Sequence, residues 1–363
     1  MISRLGFIVF ISQLLFACSS PPEKVALPAQ PVKPAKKVTL NIKAVGDMML
    51  GTNFPFNHLA DDDGKSLLAQ VSPILQDADI TFGNLEGSLL AKGEPRKECK
   101  DPRRCYLFRS PPHYAHYFKQ AGFDVLSLAN NHAQDFGEEG ARESMRHLDG
   151  VGVRHTGQEG DIASWIVKDL RVAVIAYAPF IGSHDFLDTN KAQQQVRQLA
   201  AAHDVVIVSM HAGGEGLDAV HVPFTEEFFY GENRGDVAAF SRAVIDAGAD
   251  LVIGHGPHVP RGVELYRDRL IAYSLGNFCT YYGISVAKTK GLAPILDVTI
   301  DEQGRFLTGE IISTRQIRPG GPVPDKANTA AKLMKRLSET DFPGSLLSIS
   351  AEGKLLRKQT LAQ

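Results

Sequence analysis

The sequence predicts an α/β fold on three observations. From Val38 onward, short runs rich in Val, Ile and Leu alternate with amphipathic segments, the rhythm of βαβ units. A hydrophobic share of 44% against 22% charged residues belongs to a globular chain with a full core, not a disordered one. Several apolar runs end in a polar residue able to hold a metal, and the carboxyl ends of strands are where open α/β sheets bind ligands. The 363 residues allow two ordinary domains or one large one. With no repeat and no second linker, one domain over 38–340 is expected, followed by a weakly patterned tail at 341–363.

Taken in order, residues 1–18 read as a lipoprotein signal peptide. Arg4 precedes an apolar stretch from Leu5 to Leu15, and Leu15-Phe16-Ala17-Cys18 has the form of a lipobox in which Cys18 takes the lipid. An ordinary cleaved signal with a fortuitous cysteine is the alternative. Ser19 after Cys18 points to the outer membrane of a bacterium, facing the periplasm or the cell surface. Residues 19–37 carry Pro21, Pro22, Pro28, Pro31 and Pro34 among Ala and Lys, which suits an extended tether. Strands are expected at Val38–Val45, Ile80–Phe82, Val125–Leu128, Val172–Ala176, Val205–Ser209 and Leu251–Ile253. Helices are expected at Leu67–Leu75, Pro111–Ala121, Gly137–Leu148, Lys191–Ala202 and Val237–Ala247. Beyond Gly262 the pattern turns to hairpins, at Val263–Tyr266, Leu270–Ser274, Ile295–Ile300 and Phe306–Ile312, before a helix at Thr329–Leu337.

Cys99 and Cys105 bracket a short polar segment, and in an exported chain they read as a disulfide pinning one loop. A zinc pair is the alternative, disfavoured because no second Cys or His pair lies at ligand spacing. Cys279 is left over. Lys and Arg number 39 against 41 Asp and Glu, so the basic excess that a nucleic-acid partner demands is missing.

Five strand ends carry the chemistry: Asp47, Glu86, Asn131 with His132, His211 and His255, with His258 three residues further on. Gly46, Gly83 and Gly254 stand beside them, where backbone must turn or approach closely. Each residue alone has a plain structural role available, as turn residue or helix cap. Together they suggest a site of hard oxygens and imidazoles without thiolate, suited to Mn, Fe or Zn, with one or two ions.

Val45-Gly46-Asp47-Met48-Met49, Phe82-Gly83-Asn84-Leu85-Glu86-Gly87, Phe123-Asp124-Val125-Leu126-Ser127-Leu128-Ala129-Asn130-Asn131-His132, Gly254-His255-Gly256-Pro257-His258 and Tyr273-Ser274-Leu275-Gly276-Asn277-Phe278 resemble the CapA family of poly-γ-glutamate capsule biosynthesis proteins. That family is similar to the calcineurin-like metallophosphoesterases, so the resemblance implies a four-layer αββα sandwich with a dinuclear centre. It implies Asp47 and His258 on a first metal, Glu86 as the bridging carboxylate, and Asn131, His211 and His255 on a second. His132 would be the general acid or a substrate contact, and Arg109, Asn130 and Asn277 would bind substrate. A structural salt bridge is the other reading of Arg109. Met49 stands where the phosphoesterase pattern has a histidine, which removes a ligand from the first metal, and the spacing from His255 to His258 is one residue longer than usual. Ala212 replaces a Trp that often follows the histidine at position 211 in the family.

The function expected from these residues is a membrane-anchored CapA-like protein with a metal-dependent hydrolase-type centre. It would act on an anionic capsule polymer such as poly-γ-glutamate, together with a membrane synthase complex. A general periplasmic metallophosphoesterase and a non-catalytic, metal-stabilised assembly factor are the competing readings.

Overall fold

Two mixed sheets form the centre of the molecule, which is a computed structural model describing residues 38–97 and 105–358. The strand order of the first sheet is Leu347–Ile349, Lys354–Arg357, Phe306–Ile312, Ile295–Asp301, Thr39–Met49, Ile80–Leu85, Val125–Ser127, Arg154–Thr156. Asn277–Thr280 pairs with the end of Thr39–Met49. The second sheet runs Val263–Tyr266, Arg269–Ala272, Leu251–His255, Val205–His211, Leu170–Ala178, Ala163–Val167. The middle strands of each sheet are parallel, so their carboxyl ends gather at one edge.

Alternation along the strands shows how the layers stack. Leu40, Ile42, Ala44, Ile80 and Phe82 of the first sheet share one buried cluster with Val172, Val174, Val205, Ile207, Leu251 and Ile253 of the second. On the outer face of the first sheet, Val45, Met48 and Leu126 pack with Tyr114 and Phe118 of the helix Tyr114–Ala121 and Leu148 of the helix Gly137–Gly150. On the outer face of the second, Ile175, Val206, Val208 and Val252 meet Val196 of Thr189–Ala202 and Phe240 and Val244 of Val237–Asp246. The fold is therefore a four-layer αββα sandwich, and strands apolar on both faces are covered on both. Asp188 and Asp236 start the two helices of the last layer by accepting from backbone N–H groups of the first turn.

Two expectations are corrected. Leu67–Leu75 is helical only over Ser72–Leu75, because Pro73 has no N–H for a helix arriving from upstream and instead starts one. The segment expected as a tail supplies Leu347–Ile349 and Lys354–Arg357 to the first sheet, and Leu347, Ile349 and Leu355 enter the core between the sheets. These strands are too short for a period of two to stand out in sequence. Cys18, Cys99 and the whole of 1–37 lie outside the described residues, and the expected Cys99–Cys105 pairing with them. Cys279 is a free, fully buried thiol. Among the described residues, no helix is long and apolar enough to cross a membrane.

Candidate metal centre

The carboxyl ends of the two sheets are stitched together by backbone. Asp47 N–H donates to the Gly276 carbonyl at 2.8 Å, and Leu275 N–H to that of Gly254 at 3.0 Å. Only glycine allows this approach: a Cβ on Gly46 would lie 1.9 Å from the Gly276 oxygen, and one on Gly254 2.2 Å from the Tyr273 oxygen. The pairing of Thr39–Met49 with both its parallel neighbours loses register around Asp47. An irregularity of this kind re-aims a side chain, and it turns Asp47 into the space between the sheets.

Asp47, Glu86 and His258 there bring one ligand atom each within 4.8 Å of one another. Asp47 Oδ1 accepts from Asn84 Nδ2 at 2.9 Å and lies 3.8 Å from His211 Nδ1. Asp47 Oδ2 stands 3.1 Å from His258 Nδ1, but the His258 N–H is aligned with Asn277 Oδ1 at 2.9 Å. His258 Nε2 is thereby left facing Glu86 Oε1 at 3.5 Å. Asp47 and Glu86 are fully buried, and Asp47 Oδ2, both Glu86 oxygens, His211 Nε2 and Asn131 Oδ1 are buried without a hydrogen-bond partner. Unpartnered buried carboxylate oxygens are expensive, and a divalent cation is the group that satisfies them. The donors present thus fit a divalent metal.

The electrostatics agree. Burial pushes the Glu86 carboxyl well above the usual carboxylate range, since no donor touches it. Burial would raise Asp47 too, but the histidines around it, His258 foremost, hold it below that range. Burial opposes a charge on His258, yet Glu86, Asp47 and Glu215 outweigh it and draw its pKa up. The cluster therefore holds protons that a cation would displace.

A cleft of about 530 Å³ opens onto this centre, with Glu86, His132 and His258 in its lining, Lys97, Lys290 and Arg234 among its cations, and Phe108, Phe180 and Tyr230 on its walls. His132 lies on the Phe108 ring at 4.2 Å between centroids. Its Nδ1 pairs with Asp135 Oδ2 at 2.8 Å, which leaves Nε2 toward Glu86 Oε1 at 3.9 Å. Asn131 lines the cleft beside it.

Four sequence-derived site residues fall elsewhere. His255 belongs to the same face of its strand as Leu251 and Ile253, so it points back between the sheets: Nε2 meets the Val45 carbonyl at 3.0 Å and Nδ1 the Ser209 hydroxyl at 3.4 Å. Asn130 is buried and donates to the Leu85 carbonyl and Asn84 Oδ1 at 2.8 and 3.1 Å. Asn277 is buried as well, its amide spent on His258 and on the carbonyls of Ser285 and Lys290. Arg109 donates to Asn53 Oδ1 and the Gly93 carbonyl and lies 5.0 and 5.6 Å from the ring centres of Phe54 and Phe136, in no salt bridge among the described residues and not in the cleft lining. Met49 is buried too, its sulfur accepting from Gly51 N–H at 3.3 Å.

Sequence reasoning missed Asp135, which orients His132; Asn84, which braces Asp47; and Glu215 and Arg234, which meet in the cleft at 2.9 Å. Asp135 follows His132 by three positions and Glu215 follows His211 by four in a glycine-rich loop, so both were adjacent to a recognised signal.

Residues 41–282 match the family of the bacterial capsule synthesis protein PGA_cap. The capsule biosynthesis protein CapA of Bacillus anthracis is 28% identical over 88% of this chain and 77% of its own length. The PGA biosynthesis protein CapA of Bacillus subtilis strain 168 is 26% identical over 68% of this chain and 65% of its own. Among solved structures, a hypothetical protein from Thermus thermophilus aligns with TM-score 0.47 and 16% identity, covering 76% of this chain and 98% of that one. A 5'-nucleotidase precursor from the same organism aligns with TM-score 0.41 and 13% identity, covering 84% and 59%.

Proposed function

Because the chain belongs to the bacterial capsule synthesis protein family PGA_cap and so has a capsule-related role, we propose that it is a membrane-anchored, metal-dependent hydrolase or transferase acting on an anionic capsule polymer such as poly-γ-glutamate. The observation that carries this reading is the set of buried carboxylate oxygens without a partner, Asp47 Oδ2 and both of Glu86, beside the cleft that Glu86 lines. Asp47, Glu86 and His258 would hold the ion, with His211 and Asn131 offering further donors. An ion there supplies Lewis-acid polarisation of an amide, ester or phosphoryl oxygen.

The remaining chemistry belongs to the side chains. Asp135 accepts a hydrogen bond from His132 Nδ1–H and fixes the ring, so Nε2 is the atom that exchanges a proton with a group in the cleft. Lys97 Nζ ties this dyad to the centre, lying 3.3 Å from Asp135 Oδ1 and donating to the Asn131 carbonyl at 2.9 Å. Lys97 and Lys290 on the wall provide charge for carboxylate groups of a substrate, and Phe108, Phe180 and Tyr230 give its backbone an apolar surface. Residues 1–18 and 19–37 would anchor and tether the domain.

The test is an assay of the purified protein with Mn²⁺ on poly-γ-glutamate and on bis(p-nitrophenyl) phosphate, with Glu86→Gln beside wild type. Metal-dependent cleavage or transfer of the polymer, lost in Glu86→Gln, is the expected result. Turnover of the phosphodiester alone would replace this reading with a general phosphoesterase, and turnover of neither with bound metal retained would leave an assembly factor.

A further inference from the structure

We infer that Glu215 is a further ligand of the metal held by Asp47, Glu86 and His258, occupying the coordination role that Met49 cannot fill; this rests on the reading of that centre as a metal site. Asp47, Glu86 and His258 bring three donors together, with His211 and Asn131 beside them, and a transition metal takes four or more partners in most protein sites. Met49, two residues after Asp47, contributes none, its sulfur being engaged by Gly51 N–H and its side chain packed with Phe108 and Ile284.

Glu215 approaches from the other sheet. Its Oε2 lies 3.7 Å from His258 Nε2, the nitrogen that faces Glu86, and the side chain is only 13% exposed. Its Oε1 accepts from Arg234 Nη1 at 2.9 Å, and Arg234 is itself 3% exposed with Phe180 and Phe229 against its guanidinium. One oxygen is thus clamped by Arg234 and the other faces His258 Nε2.

The backbone around Glu215 is fixed rather than free. Gly214 N–H donates to Glu227 Oε2 at 2.9 Å, and Glu227 forms a forked pair with the fully buried Arg261 at 2.7 and 2.6 Å. Gly216 N–H donates to the Pro257 carbonyl at 3.2 Å, which ties this loop to the residue before His258. Gly213 and Gly216 stand at φ +86° and +118°, so the turn that presents Glu215 is available to glycine and strained for other residues. A third carboxylate makes the donor set rich in hard oxygen, a set that suits Mn²⁺ over softer ions.

Calorimetric titration with Mn²⁺ and visible absorption with Co²⁺ test this, on wild type, Glu215→Gln and Glu232→Gln. Glutamine keeps an acceptor toward Arg234, and Glu232 is the other carboxylate on that arginine, at 2.8 Å, so its variant removes the same charge from the same partner. Loss of even an outer partner of a metal ligand weakens binding about 10- to 100-fold. Glu215→Gln should therefore raise the Mn²⁺ Kd by about 100-fold and alter the Co²⁺ spectrum, while Glu232→Gln should leave both near wild type. Equal Kd and spectrum in Glu215→Gln and wild type overturn the assignment, as does an equal loss in Glu232→Gln, which would make the effect one of charge alone. A wild type that takes up neither ion overturns the metal reading itself, and that outcome is distinct from the other two.

Discussion

Asn277→Ala asks whether His258 is held as a metal ligand must be. Asn277 is fully buried, its Oδ1 accepting from His258 Nδ1 at 2.9 Å and its Nδ2 facing the carbonyls of Lys290, Ser285 and His258 at 3.0, 3.2 and 3.3 Å. An amide nitrogen has two hydrogens. Truncation therefore strands the His258 N–H and up to two buried carbonyls. At about 1–3 kcal/mol for each buried polar group left unsatisfied, and with water re-entering part of the space, the loss is roughly 3–5 kcal/mol. The partner of a ligating imidazole is also worth about 10- to 100-fold in metal affinity. Urea unfolding of metal-free protein and Mn²⁺ titration measure the two effects separately. Asn277→Asp keeps the acceptor for His258 but sets an oxygen against three carbonyls, so it should lose stability and retain Mn²⁺ affinity. An alanine variant that binds Mn²⁺ as tightly as wild type would refute the reasoning.

Four further outcomes are expected. His132→Ala should retain metal and lose about 10² to 10⁴ in turnover on whichever substrate is accepted, and loss of metal instead would make it a ligand. Arg261→Met breaks a buried forked ion pair with Glu227 and should cost about 3–5 kcal/mol in urea unfolding; a change below about 1 kcal/mol would contradict the pairing. Burial opposes a charge on His155, but Asp161 at 2.9 Å and Asp149 at 3.4 Å outweigh it and hold its pKa above the ordinary value. The imidazolium therefore stabilises the fold below about pH 6.5 and the gain is lost as pH rises through the folded value, so Asp161→Asn should flatten the fall in urea midpoint as pH rises above about 6.5. Thiol titration of the unreduced, denatured domain from residue 38 onward should find Cys279 alone, and three reactive thiols would exclude the expected Cys99–Cys105 bridge.

The α/β alternation was legible because the central strands are apolar on both faces and the helices carry one apolar stripe, patterns that survive in a single sequence, whereas the four-layer sandwich was implied by the family resemblance. Asp47 and Glu86 were legible for a related reason, each following an apolar run at the same edge, and His258 because it stands three residues beyond the end of such a strand. His255 has the same signature and a different fate. Strand parity places it with Leu251 and Ile253 in the space between the sheets, where the Val45 carbonyl takes its Nε2. Asp47 also faces between the sheets, through the register irregularity of its strand, and what separates the two is the engaged Nε2 of His255 against the unpartnered Oδ2 of Asp47. Asn130, Asn277 and Arg109 were misplaced on similar grounds, since a polar residue beside a site reads alike whether it faces the cleft or braces the loop behind it. Glu215 was passed over, although it stands four residues after His211, because the carbonyl and the carboxylate that fix its loop come from Pro257 and Glu227, outside its own segment.

The residue that most departs from the phosphoesterase pattern has a positive structural role. Met49 packs with Phe108 and Ile284, and the Phe108 ring is the surface on which His132 lies. Phe108 N–H also donates at 2.8 Å to Asp135 Oδ2, the oxygen that takes His132 Nδ1. A histidine at 49 would place a polar ring in the apolar pocket that supports this dyad, and it would have to displace the Gly51 N–H contact to turn toward Asp47. A ligand at 49 and a rigidly backed His132 therefore compete for the same space. Met49 settles that competition in favour of the dyad, and Glu215, whose Oε2 lies 3.7 Å from His258 Nε2, is the carboxylate placed to take up the coordination it gives up.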